Sequence, residues 1–431
     1  MKIGMISEHA SPLAVLGEAD AGGQNVHVAA LAQRLAADGH TVDVYTRRDD
    51  PALPERVPLT DGVDVVHISA GPPERLPKDD LLRWMDQFGD DLAARFTDPE
   101  VRPDVLHAHF WMSGLAALRA TRRADDDRPV VPVVQTFHAL GSVKRRYQGA
   151  ADTSPTARIP LERTLCADVD LVIATCQDEV RELGQLGAAD DRVRVVPCGV
   201  DLGVFTPGTA RTHQEDEDRP LRVLSLGRLV ERKGVATVAE ALARLGDQAP
   251  PMELLVAGGP LLGELDRDPE VRRLRARAEQ LGVGDRVRFL GAVSHEDVPK
   301  LLRDVDIVAC TPWYEPFGIV PLEAAACGLP VIASAVGGML DTVVHERTGL
   351  LVPPRDPAAV ADALLRLSDR RFRLRLGAGA RVRAERRYGW ASVARQTAEA
   401  YAEVVSSSSA RLPLPQWPPT DAPLVSAGGT R

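Results

Sequence analysis

Short apolar runs alternate along the chain with longer stretches whose apolar residues recur at helical spacing. Residues 2–7 form a run that reads as a buried strand. In residues 23–37, Val26, Ala30, Leu31 and Leu35 share one helical face until Gly39 stops it. Further runs rich in Val and Ile predict strands at 41–45, 64–68, 105–108, 130–135, 171–174 and 193–196. Short buried strands separated by helical segments predict parallel pairing, with helical crossovers covering both sheet faces. Residues 206–220 hold no large apolar side chain and carry an acidic run, so they read as an exposed linker. The pattern then restarts. Strands at 221–226, 253–257, 287–290, 306–310 and 330–334 alternate with helices at 235–245, 271–281 and 298–302, and 390–404 reads as a closing helix. The expected fold class is α/β: two facing doubly wound Rossmann-like domains with a ligand cleft between them, at the carboxyl ends of the strands. The boundaries are a first domain over 1–205, the linker over 206–220 and a second domain over 221–387. A closing helix over 388–404 is expected to return toward the first domain. Four serines (Ser406–Ser409) and five prolines from Pro413 to Pro423 predict a disordered tail over 405–431.

Composition narrows the class. At 431 residues the chain is long enough for two cores, and 52 basic against 61 acidic residues give a net charge of −9. That balance disfavours nonspecific nucleic-acid binding, and no nucleic-acid partner is expected. The bias of 47 arginines to 5 lysines reads as coding composition rather than function. Cys166, Cys176, Cys198, Cys310 and Cys327 are dispersed without a C-x-x-C pair, which suits reduced thiols. The first apolar run is too short for a signal peptide, and no uncharged stretch is long enough to span a membrane. The expected localisation is cytoplasmic, with no transmembrane segment.

Four segments carry candidate chemistry. Gly22-Gly23-Gln24-Asn25 lies between the first strand and first helix, where free amides and close backbone approach suit a phosphate. At the matching turn of the second half, Arg228 leaves a strand and Lys233 opens the next helix. Two cations there would neutralise a diphosphate leaving group as its charge develops. The most specific segment is Tyr314-Glu315-Pro316-Phe317-Gly318-Ile319-Val320-Pro321-Leu322-Glu323. Eight residues separate its carboxylates, too far for a close acid–nucleophile pair. They suit two tasks: one holds sugar hydroxyls, the other a ribose diol, with the helix-start amides of Phe317 and Gly318 between. Finally, His109 and His138 stand at successive strand ends, candidates for hydrogen bonds to a sugar. A zinc site at His107 and His109 lacks a third ligand at a convincing spacing. Asp168-Val169-Asp170 and Asp304-Val305-Asp306 resemble a metal-binding D-x-D, but each immediately precedes an apolar strand, so no metal is expected.

Taken in order, these motifs resemble the family 4 retaining glycosyltransferases of the GT-B fold, over roughly residues 1–405. The resemblance implies a UDP-sugar donor, with Gly22 and Gly23 approaching its phosphates and Arg228 and Lys233 clamping the diphosphate. Glu315 would hold the donor sugar with Phe317, Gly318 and Ile319 beside it, Glu323 the ribose, and Leu290, Gly291 and Val293 the base. His109 would face the donor sugar and His138 the acceptor side. Within the family the chain is most similar to the D-inositol-3-phosphate glycosyltransferases of mycothiol synthesis. That likeness assigns Asn25, Lys78, Thr136 and Arg158 to an acceptor phosphate. Phe110 stands where a tyrosine is expected, removing one hydroxyl contact, and Lys144, Arg145 and Arg146 add positive charge nearby. Thr136-Phe137-His138-Ala139-Leu140 also resembles sucrose and sucrose-phosphate synthases. The implied reaction moves glucose or N-acetylglucosamine to a small phosphorylated polyol or sugar with retention. The acceptor attacks from the face that the nucleotide leaves, and a donor phosphate oxygen takes its proton. No cofactor is required. Expected partners are the donor and the small acceptor, with a homodimer allowed. The rival classes are a nucleotide-sugar epimerase and a non-catalytic nucleotide-sugar-binding protein.

Overall fold

A computed structural model describes residues 1–13, 23–122, 131–149, 152–208, 219–246 and 249–408. Gly22, most of the expected linker and the tail beyond 408 lie outside the described residues. The chain divides into two units. One comprises Met1–Ala174, Glu182–Arg194 and the chain from Ala394 onward; the other comprises Thr175–Arg181 and Val195–Val393.

The first unit is built on a sheet of eight strands among the described residues, ordered β3-β4-β2-β1-β5-β6-β7-β8. These are β1 (Lys2–Ile6), β2 (Thr41–Arg47), β3 (Arg56–Thr60), β4 (Val63–Ile68), β5 (Val105–His109), β6 (Val133–Thr136), β7 (Leu171–Ala174) and β8 (Val193–Val195). Strands β1, β2, β4, β5, β6 and β7 pair in parallel. Strand β3 runs antiparallel to β4, a pairing the periodicity did not predict. Its burial alternates down an exposed edge, the position where Pro58 can lack a ladder donor. Strands β5, β6 and β7 are buried along their whole length, as expected of strands covered on both faces.

The second unit repeats the plan in a parallel sheet ordered β11-β10-β9-β12-β13-β14. Its strands are β9 (Leu221–Leu226), β10 (Met252–Ala257), β11 (Val287–Gly291), β12 (Ile307–Cys310), β13 (Val331–Ser334) and β14 (Gly349–Val352). Successive residues alternate between two apolar clusters, as the period-two geometry of a strand requires. Val223, Leu254, Val256, Ile307 and Ala309 enter one, and Leu224, Leu255, Ala257, Val308 and Cys310 the other.

Both aspartate pairs serve the sheets. Asp170 accepts the Val133 amide at 2.8 Å. Asp306 accepts the Arg222 amide at 2.8 Å and the Arg219 guanidinium at 2.6 Å. No helix among the described residues is long and apolar enough to cross a membrane.

Candidate functional site

In the second unit, three loops at the carboxyl ends of β9, β12 and β13 converge. After β9 the chain passes through Arg228 and a tight Glu231–Lys233 turn to Gly234, at φ 75°, before the helix Val235–Leu245. A side chain on Gly234 would collide with the Thr311 carbonyl, whose residue also donates its hydroxyl to the Gly234 carbonyl at 2.9 Å. This close approach sets the β9 and β12 loops against each other. Lys233 Nζ consequently reaches the Glu315 carboxylate and forms an ion pair. Arg228 is exposed and makes no side-chain hydrogen bond or ion pair among the described residues.

The Glu315 loop is fixed from its other side. The Gly338 amide donates to the Glu315 carbonyl at 3.0 Å, and a side chain on Gly337 would collide with that same oxygen. Gly318, left-handed at φ 74° and ψ 50°, opens the helix Ile319–Ala326. Phe317 and Gly318 therefore precede the helix rather than belonging to its first turn, and Glu315 lies in the preceding loop. Glu323 lies within the helix, 7% exposed, and no residue described donates to its carboxylate. Burial pushes its pKa up to about 8. At the edge of the sheet, Gly291 (φ 74°) ends β11, and its carbonyl accepts the Gly258 amide, just past the end of β10, at 2.8 Å. Leu290 and Val293 pack on the core beside it.

In the first unit, Phe110 is the hub. At φ 85°, a conformation that favours glycine, it precedes the helix Trp111–Thr121. Lys78 Nζ lies 4.9 Å from its ring centre and the Arg158 guanidinium 5.1 Å. His9 meets the ring edge-on at 4.9 Å, its Nδ1 bonded to the buried Glu8 carboxylate at 2.7 Å. Burial, with Arg158 and Lys144 adding repulsion, lowers the Lys78 pKa. Arg158 has structural duties as well: Nε pairs with buried Glu162 at 2.8 Å, and Nη1 and Nη2 donate to Ser154 and the Ala139 carbonyl. Lys144 and Arg145 share Asp152, and Arg146 pairs with Glu182, so two local carboxylates offset part of the positive charge these three residues bring.

His109 and His138 are brought together, with His109 Nδ1 2.9 Å from His138 Nε2. His109 Nε2 is buried and has no hydrogen-bond partner among the described residues. His27 meets His138 edge-on and His107 lies tilted against His109, and burial depresses all four rings, His27 to about 4 and His107 to about 3. They are neutral imidazoles near neutral pH. Thr136 donates its hydroxyl to the Ile173 carbonyl at 3.2 Å and so must accept from His107 Nε2 at 2.9 Å. That fixes the His107 tautomer: its Nδ1 accepts from the Tyr401 hydroxyl at 2.7 Å. The expected phosphate contact of Thr136 therefore starts from a hydroxyl already engaged. Asn25 donates to the Ser11 carbonyl at 2.9 Å, and Gly23 is exposed at the start of the helix Gly23–Ala37. Among the described residues, no group of three or more His, Cys, Asp or Glu side chains could hold a metal ion.

Motif reading missed Tyr401, Glu162, Arg232 and the Gly337-Gly338 pair. Only the paired glycines left a local signal.

Comparison with known proteins places this geometry. Residues 21–204 match Glycosyltransferase Family 4, and residues 209–383 match Glycosyl transferases group 1. A D-inositol 3-phosphate glycosyltransferase of Xylanimonas cellulosilytica is 38% identical over 424 residues, covering 95% of this chain and 98% of that protein. One from Jonesia denitrificans is 38% identical over 401 residues, 89% of this chain and 92% of that protein. The solved sucrose-phosphate synthase of Thermosynechococcus elongatus superposes with a TM-score of 0.79 at 32% identity, covering 94% of this chain and 99% of that one. With two parallel-sheet α/β units and these relatives over nearly its whole length, the chain belongs to the family 4 glycosyltransferases of the GT-B fold and is an enzyme of glycosyl transfer.

Proposed function

We propose that the enzyme transfers glucose or N-acetylglucosamine from a UDP-sugar to a small phosphorylated acceptor such as inositol phosphate, with retention at the anomeric carbon. The observation that carries the acceptor class is the placement of Lys78 and Arg158 over the Phe110 ring. Lys78 has no carboxylate partner within ion-pair distance among the described residues, and a phosphate would supply one. The relatives named for D-inositol 3-phosphate support the same reading.

On the donor side, Arg228 and Lys233 take the diphosphate. Glu315 exchanges its lysine for sugar hydroxyls, Glu323 accepts from the ribose diol, and Leu290, Gly291 and Val293 border the base. The unpartnered His109 Nε2 meets a donor-sugar hydroxyl, which satisfies a buried nitrogen. Chemistry needs no enzyme nucleophile: the acceptor hydroxyl attacks the anomeric carbon, the bond to the leaving phosphate breaks, and a phosphate oxygen takes the proton. No metal or cofactor takes part.

A donor-by-acceptor screen following UDP release and product mass tests this. UDP-glucose, UDP-N-acetylglucosamine and GDP-mannose would be offered to inositol phosphate, fructose 6-phosphate, fructose and water. UDP release dependent on inositol phosphate, with the α-anomer by proton coupling, is the expected result. Release only with fructose 6-phosphate would establish a second reading, which the 32% identity to sucrose-phosphate synthase favours. An inverted product overturns the mechanism.

A further inference from the structure

We propose that Arg232 is a third cation of the donor clamp and binds the diphosphate directly. The inference rests on the donor assignment of Arg228 and Lys233. Arg232 is neighbour to Lys233 in the Glu231–Lys233 turn. Its main chain is pinned: the carbonyl accepts the Trp313 amide at 2.9 Å, locking the turn to the loop that carries Glu315. Its side chain is half-buried. A guanidinium offers five N–H donors, yet among the described residues this one makes a single hydrogen bond, from Nη1 to the Tyr314 carbonyl at a long 3.5 Å.

Arginines that act as struts in the same unit look different. Arg381 is bonded to Glu385 at 2.6 Å, to the Phe205 carbonyl at 2.9 Å and to the Ala326 carbonyl at 2.5 Å. Arg232 has no such set. Burial lowers its pKa, Glu315 opposes that effect, and Arg228 adds repulsion. The carboxylate that acts on Arg232, Glu315, is already paired with Lys233. The surplus of positive charge and the unfilled donors call for an anion with several acceptor oxygens, and a nucleoside diphosphate brings them to the loops where Arg228 and Lys233 stand.

Calorimetric titration of the full-length wild type, Arg232→Met and Arg232→Lys with UDP and with uridine tests the assignment. Methionine keeps the apolar stem and removes the charge. Arg232→Met should bind UDP about 10- to 100-fold more weakly, the worth of a charge-assisted hydrogen bond, with uridine affinity held within about twofold. Arg232→Lys should recover part of the loss, since it restores charge without the fork. Unchanged UDP affinity in Arg232→Met overturns the inference, and so does an equal loss for UDP and uridine, which marks a strut. If Arg228→Ala and Lys233→Ala also leave UDP affinity untouched, the donor reading itself falls.

Discussion

If Glu323 holds the donor ribose as proposed, donor binding releases a proton. Burial holds its carboxyl near pKa 8 in the free enzyme. At pH 7 the fraction protonated is therefore about 0.9. Two ribose hydroxyls donating to the carboxylate favour its charged form and bring the pKa back toward 4.5. Binding should then expel about 0.9 proton at pH 7, about 0.5 at pH 8 and about 0.1 at pH 9. Affinity should climb roughly tenfold per pH unit below 8 and level off above it. The assay is titration calorimetry with a UDP-sugar, whose diphosphate has no oxygen that titrates near neutral pH, in two buffers of different ionisation enthalpy. Glu323→Gln supplies the control. The same burial acts on folding with a definite sign. Between the unfolded value of 4.5 and the folded value of about 8 the native state holds more protons, so stability falls as pH rises across that window. The accumulated loss is about 5 kcal/mol, so Glu323→Gln should gain in Tm over wild type as pH rises from 5 to 8 while binding donor more weakly. Proton release below about 0.2 at pH 7, or equal release in Glu323→Gln, would refute the argument.

Three further outcomes are expected. Arg228→Ala and Lys233→Ala should each lower kcat/KM for the donor about 100-fold or more, as the loss of transition-state charge stabilisation requires; near-normal UDP release from either variant would sink its clamp role. Lys78→Met should raise the acceptor KM with little change in Tm. Arg158→Met should also cost about 3–5 kcal/mol of stability by leaving Glu162 buried without its cation. An unchanged melt for Arg158→Met refutes that account. Gly337→Ala, at φ 49° and against the Glu315 carbonyl, should displace the Glu315 loop and raise the donor KM, at about 1–3 kcal/mol of strain. A donor KM equal to wild type would mean that the loop tolerates the collision.

The two-sheet plan was legible because strands buried on both faces leave unbroken apolar runs, as at Leu171–Ala174 and Ile307–Cys310. Edge strand β3 was not, since an exposed edge needs no apolar run and its Pro58 argues locally against a strand. The Glu315 and Glu323 segment stood out because its glycine, prolines and carboxylates are compressed into ten residues. Long-range partnerships leave no such trace. Nothing near His107 announces Tyr401, 294 residues away, and nothing near Gly141 announces that Glu162 holds its amide. Arg232 carries no local signal, since Arg228 and Lys233 at the ends of its motif already account for the chemistry; only the poverty of its hydrogen bonding sets it apart.

The route of the chain has a consequence for how the protein is made. The first unit includes the chain from Ala394 onward, and the Tyr401 hydroxyl is the donor that satisfies His107 inside the β5 face. A ribosome that has finished β8 has therefore not delivered the last piece of that unit. Some 200 residues must follow, roughly 10–40 s of synthesis at 5–20 residues per second. Through that interval the nascent first unit lacks the hydroxyl that pairs with His107, while the second unit emerges between its parts. Ribosome-arrested chains ending near residue 390 should accordingly expose the β5–β6 region to proteolysis, and release to full length should close it. Protection already complete at 390 would show that the final helix merely docks on a finished unit.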